Sequence, residues 1–399
     1  MCIRTVSPVH DPSYFTQTFI NNSITVAEEG NFVTCPFGVL FMLCTLLGSG
    51  GPRMNTSIQI GNAILGKDNY HHNNWKSLSS DAVQLYKSTL ESLSGEMTSI
   101  DDQMTQVITL ANGIYASDEL KINEEFEHLL SKHFSEVIHR VNFADQLTVM
   151  KLINKWIADK TNNLIPQFFN HPQDIPPNAL LSLFSVFYFK DVWEVPFIEM
   201  FTENSTFSVS SDRQIYVPIM SSEEELDYAD FNSEGFEMIS KSFKNTRFTF
   251  IVILPKDKWN ANYTSLFLIQ NNLLENYIQK LKNEQVSLKL PKFKLETLVD
   301  LEKTLKQLGI HDIFNPLKAD FSGITNQWRM HVTSFQQKNV IRVDETGIEA
   351  GSVANAMFIP LHSYKNPIEF HVLHPFICFI YDKTLKLPLF AARVTEPLQ

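Results

Sequence analysis

The chain has 399 residues, 44% of them hydrophobic and 12% aromatic, enough for a sizeable core and too apolar for a disordered protein. Lys plus Arg number 33 against 44 for Asp plus Glu, a net charge of -11, and no long basic run interrupts it. A surface of that sign repels phosphate backbones, so nucleic acid is not an expected partner.

The stretch from Met1 to Asp11 lacks the continuous apolar core of a signal peptide. A cytoplasmic location is therefore expected, with non-classical export as the alternative. The sequons at Asn21, Asn55, Asn204 and Asn262 leave a glycoprotein open. Tyr14 to Ile24 has helical spacing, and Phe37 to Leu47 reads as a buried helix following Pro36. That apolar run is the longest in the chain and too short to span a bilayer, so no membrane partner is expected. Asp81 to Leu93 is an amphipathic helix with Val83, Tyr86, Leu90 and Leu93 along one face. Val107 to Tyr115 turns to strand composition, and Asn123 stands where it would cap a helix opening at Glu124. Leu147 to Lys160 is helical through Val149, Leu152, Ile153 and Trp156.

Beyond residue 180 strands dominate. Leu180 to Phe189 is almost wholly apolar, as a central strand covered on both faces would be. Phe248 to Leu254, Val286 to Leu290, Asn339 to Asp344, Phe370 to Val372, Phe376 to Tyr381 and Leu387 to Val394 follow as strands. Leu301 to Leu308 is a short helix ending at Gly309. Helices first and long β segments afterwards indicate α+β architecture. Length alone suggests two or three domains. No Pro-, Gly- or Ser-rich linker divides the chain, however, and a single domain over 1–399 is expected.

Catalytic constellations are thin. His71 and His72 are adjacent in an Asn-rich loop, and His128 and His133 lie five apart on a helix, poor spacing for a metal. The four cysteines, at 2, 35, 44 and 378, are too scattered for zinc or a disulfide framework. Cys35 and Cys378 sit in apolar surroundings that raise a thiol pKa. No G-x-S-x-G elbow or phosphate-cradling glycine loop is present. The expectation is a protein that is not an enzyme and uses no metal or cofactor.

The unusual segment follows the strand Val340 to Val343. Asp344-Glu345-Thr346-Gly347 would end that strand with a turn, and small, uncharged residues then run on from Ala350 to Ala356. Composition alone leaves a flexible connector and an inserting strand equally open. Alternation separates them: 348, 350, 352, 354 and 356 are Ile, Ala, Ser, Ala and Ala, a compact face free of charge. Such a strand could slide between two others. About a dozen residues regaining ~1 kcal/mol each in ladder hydrogen bonds would release on the order of 10 kcal/mol. A charge on the inward face would oppose this by several kcal/mol.

Motifs spread along the chain then match a family. They begin with Asn31-Phe32-Val33-Thr34-Cys35-Pro36, Leu46-Leu47-Gly48, Ala111-Asn112-Gly113-Ile114-Tyr115 and Ile153-Asn154-Lys155-Trp156. Phe187-Tyr188-Phe189-Lys190 with Trp193 and Pro196-Phe197 comes next, then Leu290-Pro291-Lys292-Phe293, Leu308-Gly309-Ile310 and Asp320-Phe321-Ser322-Gly323-Ile324. His374-Pro375-Phe376 and Pro388-Leu389-Phe390 complete the set. In this order and spacing the chain resembles a serpin along nearly its full length.

The resemblance implies an α+β fold of three β-sheets and about nine helices, with an exposed reactive loop over about 345–365. It implies a monomeric, metastable inhibitor whose partner is a serine protease, held as a covalent acyl complex when the cleaved loop inserts into the main sheet. On the family's spacing Glu345, Thr346 and Gly347 are the hinge. Ile348, Glu349, Ala350, Gly351, Ser352, Val353 and Ala354 are the inserting strand, and Leu361-His362 is the scissile bond. The apolar Leu361 suits chymotrypsin-like or elastase-like targets. Tyr364 and Lys365 are the bait in a shifted register, Lys365 for trypsin-like targets. A non-inhibitory relative acting as a carrier, chaperone or binding protein is the alternative.

Departures from the family pattern bear on this. Ile348 stands where Thr or Ser is usual, and Gly351, Ser352 and Asn355 dilute the alanine run. The polar cluster beneath the opening sheet is represented by Cys35, Gly38, Ser185 and Gln337, and Gln337 hydrogen-bonds but does not titrate. Trp193 and Lys292 are assigned by the resemblance to the same sheet-opening region, and Glu345 and Lys292 are placed to pair at the top of the sheet. As a surface bridge that pair would contribute under about 1 kcal/mol.

Overall fold

The computed structural model describes residues 11–27, 29–66, 75–94, 108–161, 163, 165–259, 274–327, 330–348 and 366–397. In chain order, helix α1 (Ser13–Val26) and strand β1 (Phe32–Thr34) lead into helices α2 (Pro36–Gly48), α3 (Met54–Leu65) and α4 (Trp75–Ser94). Strand β2 (Ile108–Ser117), helix α5 (Glu124–Phe134), strand β3 (Ile138–Val141) and helix α6 (Gln146–Lys160) follow. Next come β4 (Leu181–Phe189), β5 (Asp191–Val192), β6 (Glu203–Ser208), β7 (Gln214–Phe231), β8 (Phe236–Ser242) and β9 (Phe248–Pro255). A short helix, Leu274–Ile278, precedes β10 (Lys282–Pro291) and β11 (Phe293–Asp300). Another, Glu302–Gln307, precedes β12 (Val332–Val343), β13 (Gly347–Ile348), β14 (Ile368–His371), β15 (Phe376–Asp382) and β16 (Leu387–Val394).

These elements group into two compact units. The first holds Met1–Asn22, Pro36–Tyr188 and Leu298–Lys338. Its core is helical: every residue of α2 is buried, as a sequence apolar but for Thr45 demands, with Pro36 supplying the first-turn residue that needs no N–H. Helix α5 carries Glu124, Glu125 and Glu127 in its first turn and Lys132 and His133 in its last, complementing the helix dipole. It crosses between the parallel strands β2 and β3, which pair from Ile114↔Ile138 to Ser117↔Val141. Within this unit the strands run in the order β3-β2-β4-β12.

Three local expectations change. The buried stripe of α4 is Leu78, Ala82, Leu85, Thr89 and Leu93, while Leu90 is exposed and Val83 and Tyr86 are half-buried. The helix is rotated by about one position, with Val83 still close to Gly48 of α2, where a Cβ would lie 3.0 Å from its Cγ2. Leu152, placed by its spacing on the apolar face of α6, is likewise exposed, and Val149, Ile153, Ile157 and Ala158 form the buried face. Asn123 occupies the N-cap position of α5 as expected, but its side chain makes no capping bond. Its Nδ2 donates to the carbonyls of Ser322 (3.1 Å) and Gly323 (3.0 Å), tying two loops together instead.

The second unit holds Ser23–Cys35, Phe189–Thr297 and Asn339–Gln399. Its nine strands run β1-β16-β15-β9-β8-β7-β10-β14, with β6 also on β7. Strands β9, β15 and β16 are buried at every residue, which explains their nearly continuous apolar sequences. The 18-residue strand β7 pairs with β6, β10 and β8 in turn. It thereby joins two sheets of the expected three into one ladder. This unit also contains the end of β12, followed in order by β13 and β5.

Candidate functional site

At Val343 strand β12 ends and the chain reverses at once. Asp344 Oδ1 accepts from Thr346 N (3.0 Å), Thr346 Oγ1 (2.7 Å) and Gly347 N (3.3 Å), while Asp344 N donates to Gly347 O at 3.0 Å. A short acidic side chain bonded to the backbone two residues on is a turn former. The turn sends Gly347 and Ile348 back as β13. That strand is antiparallel to β12 on one side (Val343↔Ile348) and to β5 on the other (Gly347↔Val192, Ile348↔Asp191). The start of the segment expected to insert thus already occupies a strand position.

Only glycine fits the first residue of that strand. A Cβ at 347 would lie 2.2 Å from Asp191 O and 2.7 Å from Val192 Cα, both backbone atoms. Ile348, the departure from the family's small polar residue, is 1% exposed and takes its place in the interior. Its bulk is accommodated, and its burial contributes about 2–3 kcal/mol to the seat.

Three consecutive carbonyls at the loop root are held from one segment. Trp193 Nε1 donates to Asp344 O (2.9 Å), Phe197 N to Glu345 O (2.8 Å) and Trp193 N to Thr346 O (2.9 Å). Trp193 is itself buried and stacks on Phe243 at 4.8 Å between ring centres. The Glu345 carboxylate accepts from Lys292 Nζ (2.7 Å) and Thr202 Oγ1 (2.9 Å). It is not a surface bridge: the Glu345 side chain is 7% exposed against 34% for Lys292. Burial alone would raise the Glu345 pKa, but hydrogen bonds from Lys292, its own backbone and Thr202 outweigh that and hold it below the usual range.

Asp191, opposite Ile348, is the least satisfied group here. It is buried, its Oδ1 accepts from Val192 N at 2.8 Å, and its Oδ2 has no hydrogen-bond partner. Directly paired residues point to the same face, so the apolar Ile348 side chain lies beside this carboxylate. Burial pushes its pKa up to about 6, against the backbone N–H groups of Val192 and Asn245 and the charge of Lys244.

In the first unit the structure brings together Gly38 on α2, Ser185 on β4 and Gln337 on β12. A Cβ at 38 would lie 2.3 Å from Ser185 Oγ and 3.1 Å from Gln337 Nε2, so the missing side chain admits both polar groups. Cys35 belongs to the second unit, where it is buried and in no disulfide, like Cys378, whose pKa burial raises. Residues Glu349 to Ala354 and Leu361, His362, Tyr364 and Lys365 lie outside the described residues. Among the described residues no group of three His, Cys, Asp or Glu could hold a metal, and no helix is long and apolar enough to cross a membrane.

Sequence reading missed Asp191, Phe197 and Thr202 as parts of this site. Thr202 follows the exposed Met200 and Phe201, and nothing in that pattern marks its hydroxyl as a partner for Glu345. Asp191 follows Lys190 at the end of an apolar run, where two adjacent charges read as an exposed turn, so the local pattern does not mark its burial.

The family model described as Serpin (serine protease inhibitor) matches residues 11–397. Iripin-2 of Ixodes ricinus is 30% identical over 294 residues, covering 72% of each chain. Among solved structures, a serpin from the trematode Schistosoma haematobium superposes with a TM-score of 0.86 at 36% identity, over 96% of this chain and 99% of that one. A serpin from Schistosoma mansoni gives 0.85 at 39% identity, over 96% and 100%.

Proposed function

Because the chain belongs to the serpin family of serine protease inhibitors, we propose that it traps its target by a suicide mechanism, with cleavage at Leu361-His362. The protease serine attacks the Leu361 carbonyl, the peptide bond to His362 breaks, and the loop remains esterified to the enzyme. Insertion of the strand beginning at Gly347 then carries the acylated protease away before water releases it.

One observation supports this above the others. Gly347 and Ile348 are already seated as a strand between β12 and β5, the position from which a longer segment would zip in. The following residues carry no side chain that would stop it, since Ala350, Ser352 and Ala354 occupy the inward alternation. Strand addition to an open ladder gains about 1 kcal/mol per residue, enough over the loop to hold a distorted protease.

Mixing the protein with chymotrypsin, pancreatic elastase and trypsin tests the reading. A complex stable in SDS is expected with the first two, together with a C-terminal fragment whose mass begins at His362. A fragment beginning at Lys365 or Asn366 would move the bait to Tyr364 or Lys365, the latter with trypsin-like targets. Leu361→Lys is expected to shift the preference from chymotrypsin to trypsin by about 100-fold or more in inhibition rate. An unchanged preference would place the bond elsewhere. Loop cleavage with no complex and no rise in melting temperature would favour a non-inhibitory binding or carrier role.

A further inference from the structure

We propose that Lys241, paired with Glu224, is the positioning residue for the Trp193–Phe197 segment that clamps the loop root, and so sets how firmly the hinge is held. Lys241 lies on β8 and is 1% exposed. Its Nζ donates to both carboxylate oxygens of Glu224 (2.7 and 2.8 Å) and to the carbonyl of Val195 (2.8 Å). The same ammonium lies 4.8 Å from the centre of the Phe197 ring and 5.6 Å from that of Trp193. Glu224 is nearly as buried, with a side chain 10% exposed, and also accepts from Ser222 Oγ at 2.7 Å.

The arrangement is directional. Val195 sits midway along the segment whose ends, Trp193 and Phe197, donate to the carbonyls of Asp344, Glu345 and Thr346. One buried cation therefore fixes the middle of that segment by a hydrogen bond and both flanking rings by their faces. A buried ion pair is weak evidence for net stability, since desolvation offsets its attraction, whereas it does specify geometry when every donor has an acceptor. All of these acceptors either belong to the clamp or orient the lysine toward it. Lys241 does not touch the loop itself and acts on it through Trp193 and Phe197.

The inference rests on the inhibitory reading only for its functional consequence, because the clamp is a property of the free protein. The test compares wild type, Lys241→Met/Glu224→Leu (which removes both charges together) and Lys241→Arg by hydrogen exchange of the full chain. In the double variant, amides of residues 344–348 are expected to exchange about tenfold faster or more while β15 and β16 keep their wild-type rates. Lys241→Arg should stay within about threefold of wild type. Unchanged exchange at 344–348, or equal acceleration there and in β15 and β16, would overturn the proposal. If the double variant does not fold, Glu224→Gln, which keeps an oxygen for the ammonium but removes the charge, carries the same comparison. Failure of wild type to trap any protease would end the inhibitory reading and leave the exchange result to stand or fall separately.

Discussion

Gly347→Val is expected to turn the protein from an inhibitor into a substrate. Any side chain at 347 runs into the Asp191 carbonyl and the Val192 Cα, and backbone atoms cannot swing aside as a side chain would. Overpacking of this kind costs about 1–3 kcal/mol or more. Expelling β13 also exposes Ile348, losing about 2–3 kcal/mol of apolar burial. In the proposed mechanism insertion competes with hydrolysis of the acyl-enzyme, and each ~1.4 kcal/mol added to its barrier slows it tenfold. The molar ratio of inhibitor consumed per protease trapped should rise about tenfold or more, and the melting-temperature gain on loop cleavage should shrink. A wild-type ratio in this variant would show that insertion does not begin at the seated hinge.

Asp191→Asn is expected to stabilise the protein at neutral pH and to have no effect in acid. The carboxyl titrates near its ordinary 3.8 when unfolded and at about 6 when folded, because burial beside Ile348 disfavours its charge. Between those values the folded chain keeps a proton that the unfolded chain has released. The stability contributed by that proton is complete below 3.8 and is lost as pH rises through about 6. Above that, the ionised group costs up to about 3 kcal/mol relative to an acid with an unshifted pKa. Asparagine keeps the oxygen that accepts from Val192 N and removes the charge. Urea unfolding at pH 3.5 and 7.5 should give a variant-minus-wild-type difference near zero in the first buffer and about 1–3 kcal/mol in the second. Equal differences at both pH values would mean that Asp191 is not charged against its surroundings. The charge of Lys244 favours the ionised form, so Lys244→Met is expected to enlarge the difference.

The order of elements was readable because burial writes itself into composition. The largely apolar runs of α2, β4, β9, β15 and β16 stand out against any neighbour. The far half of β7 was not readable, because beyond the apolar Ile215 to Met220 its exposed Glu223, Glu225 and Asp227 alternate with the more covered Glu224 and Leu226 and no apolar run continues. Helical faces were legible to within one position, and the last step depended on tertiary neighbours, as Leu90 and Leu152 illustrate. At the site, Glu345 and Lys292 could be matched by their place in the family pattern. The depth at which Glu345 sits depends on Thr202, some 140 residues away in sequence, and local spacing cannot convey that. Ile348 looked like an obstacle because its rank in the family pattern was visible and its cavity was not.

The strand order of the second unit bears on how a cut loop would behave in solution. Among the described residues after 365, all three strands are woven into the nine-stranded ladder: β15 lies between β16 and β9, β14 runs beside β10, and β16 pairs with β1. Asn31 adds a tether, its Oδ1 accepting from Thr395 N (2.8 Å) and Glu396 N (3.0 Å). A nick at Leu361-His362 would therefore leave a two-chain particle that travels through a gel-filtration column as one body. The short piece would separate only under denaturing conditions.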